Sequence, residues 1–138
     1  MKTPFKIIFF VVLSSMLLLT VFAVTQEPKQ SPISIPAYNP SQERTFSGTI
    51  VELKNYQCPV SGTLGAHIVV KGITDTIEVH LAPATFLTRY EIVLNPGDKV
   101  SVTGIKFNHQ GKPAMIAGTV VDGQSTYTFR DLKGRPQW

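Results

Sequence analysis

A single cysteine, Cys58, stands in this 138-residue chain, so no internal disulfide can brace the domain it forms. Charge is sparse as well: only 16% of residues are charged, and the 13 basic and 9 acidic side chains are scattered without a block of either sign. A pI near 9.3 therefore carries no nucleic-acid reading, because that inference needs clustered Lys and Arg. Helical periodicity is almost absent beyond residue 24. No glycine pattern that cradles phosphate occurs, and Gly62 and Gly65 read as turn-permitting residues. Ser61 lies in CPVSG, which lacks the first glycine of a G-x-S-x-G elbow and does not sit between a strand and a helix. These absences remove the usual grounds for assigning a catalytic centre.

What the chain does have begins at its start. Residues Ile7 to Val24 run without a charge directly after Lys2 and Lys6. A basic start and an apolar run match a secretory signal, with Val21-Phe22-Ala23 offering a cleavage site after Ala23. The run also approaches the roughly 20 apolar residues that span a bilayer, so an uncleaved anchor is the alternative to residues 1–23 as a signal peptide. Either way the domain is expected outside the cytoplasm, periplasmic or secreted, or held at the membrane through residues 7–24. Beyond residue 23 the net charge falls from +4 to +2 (11 basic, 9 acidic side chains).

Prolines at 28, 32, 36 and 40 mark residues 24–43 as an extended linker, since proline fixes its own backbone and biases the preceding residue away from helix. Residues 44–138 then suffice for one small domain. Short β-rich runs broken by Gly, Asn and Asp predict strands over Thr45–Leu53, Leu64–Lys71, Thr76–Leu81, Lys99–Phe107, Ala114–Val121 and Thr126–Arg130. Hairpin loops are expected at Gly72–Asp75, Asn108–Lys112 and Asp122-Gly123, and a type II turn at Asn95-Pro96-Gly97-Asp98. Alternation switches parity where Phe46 and Ile50 give way to Val51 and Leu53 in the first strand, with Gly48 nearby, and at Gly104 in the fourth, which suggests bulges that carry a strand around a barrel. Pro83 to about Tyr90 is the one helical segment, placed between the third and fourth strands. The expected fold is all-β with one short helix: an OB-fold-like Greek-key barrel of five to six strands, with Trp138 packed on it.

Ser47-Gly48-Thr49-Ile50-Val51, Ile77-Glu78-Val79-His80-Leu81 and Pro96-Gly97-Asp98-Lys99-Val100-Ser101-Val102-Thr103-Gly104 resemble the corresponding runs of bacterial exported OB-fold modules, the periplasmic BOF type and its uncharacterised secreted relatives. The resemblance covers about Arg44 to Val121, and the extension from Tyr127 to Trp138 departs from it. It implies architecture rather than activity.

The second and third strands carry the sharpest candidate site. Ala66, Ile68, Val70, Ile77, Val79 and Leu81 should face the core, and their neighbours should face outward together. If Gly72–Asp75 form the loop, Lys71 pairs with Thr76 and His67 falls opposite His80, with β-carbons about 4.5 to 5.5 Å apart. Two such imidazoles suit zinc or copper, with Cys58 or Glu78 as a further ligand; two stacked or hydrogen-bonded histidines are the plain structural alternative. The same outer face, His67, Val69, Lys71, Glu78 and His80 flanked by Tyr56 and Arg89, is where an OB-fold holds ligands. No stacking aromatic stands among basic residues there, which disfavours nucleic acid. An envelope protein or a small ligand is the expected partner. His109 is expected to be a solvated turn residue, and Cys58 a small apolar loop residue unless it ligates. Cys58 with either histidine has the types for a thiol nucleophile and base, but no orienting group or oxyanion site accompanies them.

Overall fold

The computed structural model describes residues 34–138. The leader, the anchor alternative and the first part of the proline-rich stretch lie outside the described residues. The elements are β1 (Arg44–Gln57), β2 (Leu64–Lys71), β3 (Thr76–Pro83), α1 (Ala84–Arg89), β4 (Lys99–His109), β5 (Lys112–Asp122) and β6 (Ser125–Thr128). All follow the expected order. Sheet order is β3-β2-β1-β4-β5-β6, antiparallel throughout, and a parallel pairing of β3 with β5 closes the ring. The fold is thus mostly antiparallel β, with one short helix and a closed barrel.

Closure requires β1 to serve two neighbours. Its first half pairs with β4 from Arg44 to Thr49, and its second with β2 from Thr49 to Gln57. Gly48 sits at this division, where a β-carbon would collide with the Lys71 carbonyl. The parity switch in this strand falls where alternation places it, just after Ile50: the register shifts between Ile50 and Glu52, so Val51 is the bulged residue. In β4 the switch is at Gly104, as the alternation predicts. Thr103 pairs with Thr119 and Gly104 with Ala117, leaving Gly118 as the extra residue of β5. A β-carbon on Gly104 would strike the Ile116 carbonyl oxygen, so only glycine permits so close a crossing.

Alternation then builds the core. Ile68 and Val70 of β2, Ile77, Val79 and Leu81 of β3, Val100 and Val102 of β4, and Met115, Ala117 and Val120 of β5 point inward, joined by Ile50 and Phe129. Helix α1 contributes Phe86, and Trp138 meets that ring edge-on at 6.0 Å between centroids. The turns have the chemistry expected of them. Gly97 has φ +99° in the Asn95–Asp98 turn, and the β4–β5 hairpin closes through Gln110 and Gly111, both with positive φ. Strand β6 ends at Thr128, short of the expected Arg130, because the Phe129 and Arg130 amides both turn to the Gly118 carbonyl.

The end of the proline-rich stretch lies on the barrel rather than trailing from it. Tyr38 packs over Gly118 and Gly134, donates to a Glu43 carboxylate oxygen at 2.6 Å, and lies beneath the Arg130 guanidinium. Arg130 also covers Trp138, so the two ends of the described chain are joined through one cation.

Candidate functional site

The hairpin β2–β3 holds the register that alternation predicts: Lys71 pairs with Thr76 and His67 with His80. Two consequences differ from expectation. Both histidines are buried, each 1% exposed, although they lie on the face turned away from the barrel core. The cover comes from elements distant in sequence. Tyr56 of β1 stacks on the His67 ring at 3.9 Å with planes 8° apart, and Cys58 lies just past the end of that strand, 3% exposed. The parity switch at Gly104 turns Phe107 and His109 to the same side, where their rings lie 5.5 and 5.4 Å from that of His80. His109 is accordingly half-buried against the cluster, not a solvated turn residue.

Cys58 is seated by its own turn. Its amide donates to the Thr63 carbonyl, and its carbonyl accepts from Gly62. Gly65 opposite has no β-carbon, and one there would collide with the Cys58 β-carbon and crowd His67. The result is a compact group. The Cys58 sulfur lies 3.3 Å from His80 Nδ1, the two imidazoles meet edge-to-face at 4.6 Å, and the ligating atoms of Cys58, His67 and His80 all fall within 4.8 Å of one another. Four imidazole nitrogens of the cluster, both of His67, Nε2 of His80 and Nδ1 of His109, have no hydrogen-bond partner. Burial lowers the His67 pKa; the Lys54 carbonyl opposes that shift yet falls outside hydrogen-bonding geometry.

Burial dominates the electrostatics. It pushes the His80 pKa down to about 4, with the neighbouring His67 adding to the shift, and it lowers that of His67 as well. Both rings are neutral at pH 7. A neutral, weakly basic His80 whose Nε2 has no orienting partner is a poor general base, so the Cys58–His80 contact lacks what thiol activation needs.

Glu78 is separate from this group. Tyr56 donates its hydroxyl to one carboxylate oxygen and Lys54 reaches the other at 3.1 Å. Burial alone would raise the Glu78 pKa, but these two donors outweigh it and hold the carboxyl below its ordinary range. Glu78 is thus committed to Tyr56 and Lys54. Above it runs a groove of about 730 Å³ between the β1–β3 outer face and the β4–β5 hairpin, lined by residues including Lys54, Tyr56, Val69, Glu78, His109 and Lys112. Of the residues expected on the ligand face, Tyr56, Val69 and Glu78 line this groove, and His67 and His80 are buried beside it. Lys71 is exposed at the far end of β2, outside the lining. Arg89, at the end of α1, lies in a different depression with Leu64, Phe86 and Trp138. Lys54, Phe107 and His109 join the site without having been singled out for it. Lys54 carried a signal, since its alternation with Tyr56 places both on one face of β1. For Phe107 and His109 the signal was the parity switch at Gly104.

A small closed β-barrel with a polar groove and a buried thiol–imidazole group on one outer face is the class of protein defined here. The chain belongs to the MamS/MamX magnetosome protein family, which matches residues 42–127 and so spans β1 through most of β6. No curated protein matches the chain. Among the described residues, no helix is long and apolar enough to cross a membrane.

Proposed function

We propose that this protein is an OB-type binding or accessory module of the cell envelope. On this reading it is exported or membrane-held by residues 1–24 and engages an envelope protein or a small ligand through the groove on the outer face of β1–β3. The observation that carries this is the groove itself. Its volume of about 730 Å³ falls in the range of ligand sites, and Tyr56, Glu78 and Lys54 converge on it while Val69, Pro113 and Ala114 supply apolar wall. The family assignment supports work with the magnetosome protein set, and the strand order with a parallel β3–β5 closure supports the OB identity.

A nucleic-acid role is disfavoured. Tyr56 is already stacked on His67, Lys54 is paired with Glu78, and the groove lining carries both signs of charge. The test compares species that copurify with the full chain from its own membranes. The double variant Lys54→Ala/Tyr56→Ala should lose a specific copurifying species that Arg89→Ala retains, with unchanged Trp138 fluorescence reporting an intact fold. An identical set in all three samples overturns the groove assignment.

A further inference from the structure

We infer that Cys58, His67 and His80 form a binding site for monovalent copper, held by one thiolate and two neutral imidazoles. This stands apart from the groove reading, because it uses buried atoms outside the groove lining.

The first argument is the orphaned nitrogens. A buried polar atom without a partner costs about 1–3 kcal/mol, and both nitrogens of His67 and Nε2 of His80 are such atoms, in rings that each place one nitrogen within 4.8 Å of the other and of the Cys58 sulfur. An apolar pair would fill this space without that cost. The second is geometry. Metal bonds of about 2.0–2.3 Å to nitrogen and sulfur set ligand separations near 3.4–4.0 Å in a trigonal plane. The Cys58–His80 pair is already at 3.3 Å, and the whole set lies within 4.8 Å, so small side-chain rotations bring the donors to bonding range. Tyr56 holds the His67 plane while this happens.

The third argument selects the ion. Thiolate and imidazole are soft to borderline donors, which favours copper and zinc over calcium or magnesium. Zinc prefers four ligands, but His109 falls outside the set of donors within 4.8 Å, and the one nearby carboxylate, Glu78, is held by Tyr56 and Lys54. Charge decides further. One thiolate and Cu(I) sum to zero, whereas Zn(II) would leave a net positive charge among Phe107 and the buried rings. Binding displaces the Cys58 thiol proton to solvent and changes no oxidation state.

The test uses the untagged full chain in detergent, reduced and anaerobic, titrated with Cu(I) supplied as its bicinchoninate complex. One equivalent should be withdrawn from the chelator, X-ray absorption should show one sulfur and two imidazole nitrogens, and bound Cu(I) should protect Cys58 from alkylation. Cys58→Ser and His67→Phe should each weaken binding by more than about 100-fold. His67→Phe keeps an aromatic ring against Tyr56, so it reports on the site even if Cys58→Ser fails to fold. No withdrawal of copper, variants that bind like the wild type, or Zn(II) binding more tightly than Cu(I) at pH 7 would each overturn the inference.

Discussion

Replacing His67 by phenylalanine should make the metal-free protein more stable, which is an unusual expectation for a fully buried residue. The ring keeps its stack on Tyr56, and two imidazole nitrogens that lack partners disappear. Relief of those atoms contributes about 1–3 kcal/mol each at most. Against this stands the larger phenyl ring, wedged between Tyr56 and His80, where overpacking costs about 1–3 kcal/mol. The balance is a gain of about 1–2 kcal/mol, or roughly 5–10 °C in Tm for a domain of this size. The gain should widen as pH falls below about 6.5, because the unfolded imidazole takes up a proton that the folded one resists, and the wild type loses stability over that interval. Thermal unfolding of chelator-treated protein, followed by the fluorescence of Trp138, measures it. A loss of more than about 1 kcal/mol at pH 7 would refute the reasoning, since it would mean that the nitrogens are satisfied in the metal-free fold.

Three further outcomes follow from the packing. Gly104→Ala forces a β-carbon into the Ile116 carbonyl at the bulge and should cost about 3 kcal/mol, read from urea unfolding. Tyr38→Phe removes a hydrogen bond to the Glu43 carboxylate and should cost about 1–2 kcal/mol at pH 7. Burial and then that carboxylate raise the Tyr38 pKa above the ordinary tyrosine range, so wild-type stability should fall as pH rises past about 10, while Tyr38→Phe flattens that decline. Gly65→Ala drives Cys58 away from the imidazoles, and the thiol should then react faster with iodoacetamide than in the wild type.

Much of the barrel was legible in the chain because its signals are local. Strand β2 and the β2–β3 register follow from alternation plus a four-residue loop, so the His67–His80 pairing could be read from residues 64–81 alone. The bulge at Gly104 announced itself as a change of parity. What was not legible depends on contacts between distant residues. The parallel pairing of His80 with Ile116 closes the ring and brings the end of β4 over the histidines, which turns an apparently open face into a buried one. His109 was misjudged for the same reason. Lys71 and Arg89 were assigned to the ligand face by strand and sequence neighbourhood, but Lys71, the last residue of β2, lies outside the groove lining and Arg89 closes α1 in a different depression. The switch after Ile50 was legible in β1, but Gly48 nearby was read as its glycine because glycine marks both bulges and close crossings. Here it marks a crossing, and Val51 makes the bulge. Tyr38 gave no periodic signal, since its partners Gly118, Arg130 and Gly134 meet it only in the folded chain.

The claim that the outer face of β1–β3 is the binding surface is tested most directly by photo-crosslinking in cells. A photoreactive residue would be placed at Thr76 or Lys112 on the groove and, in a separate chain, at Thr126 of β6, which lies outside the groove lining. Crosslinks to one discrete species from both groove positions, and none from Thr126, are the predicted result. Equal crosslinking from all three positions, or crosslinks from Thr126 alone, would contradict the account.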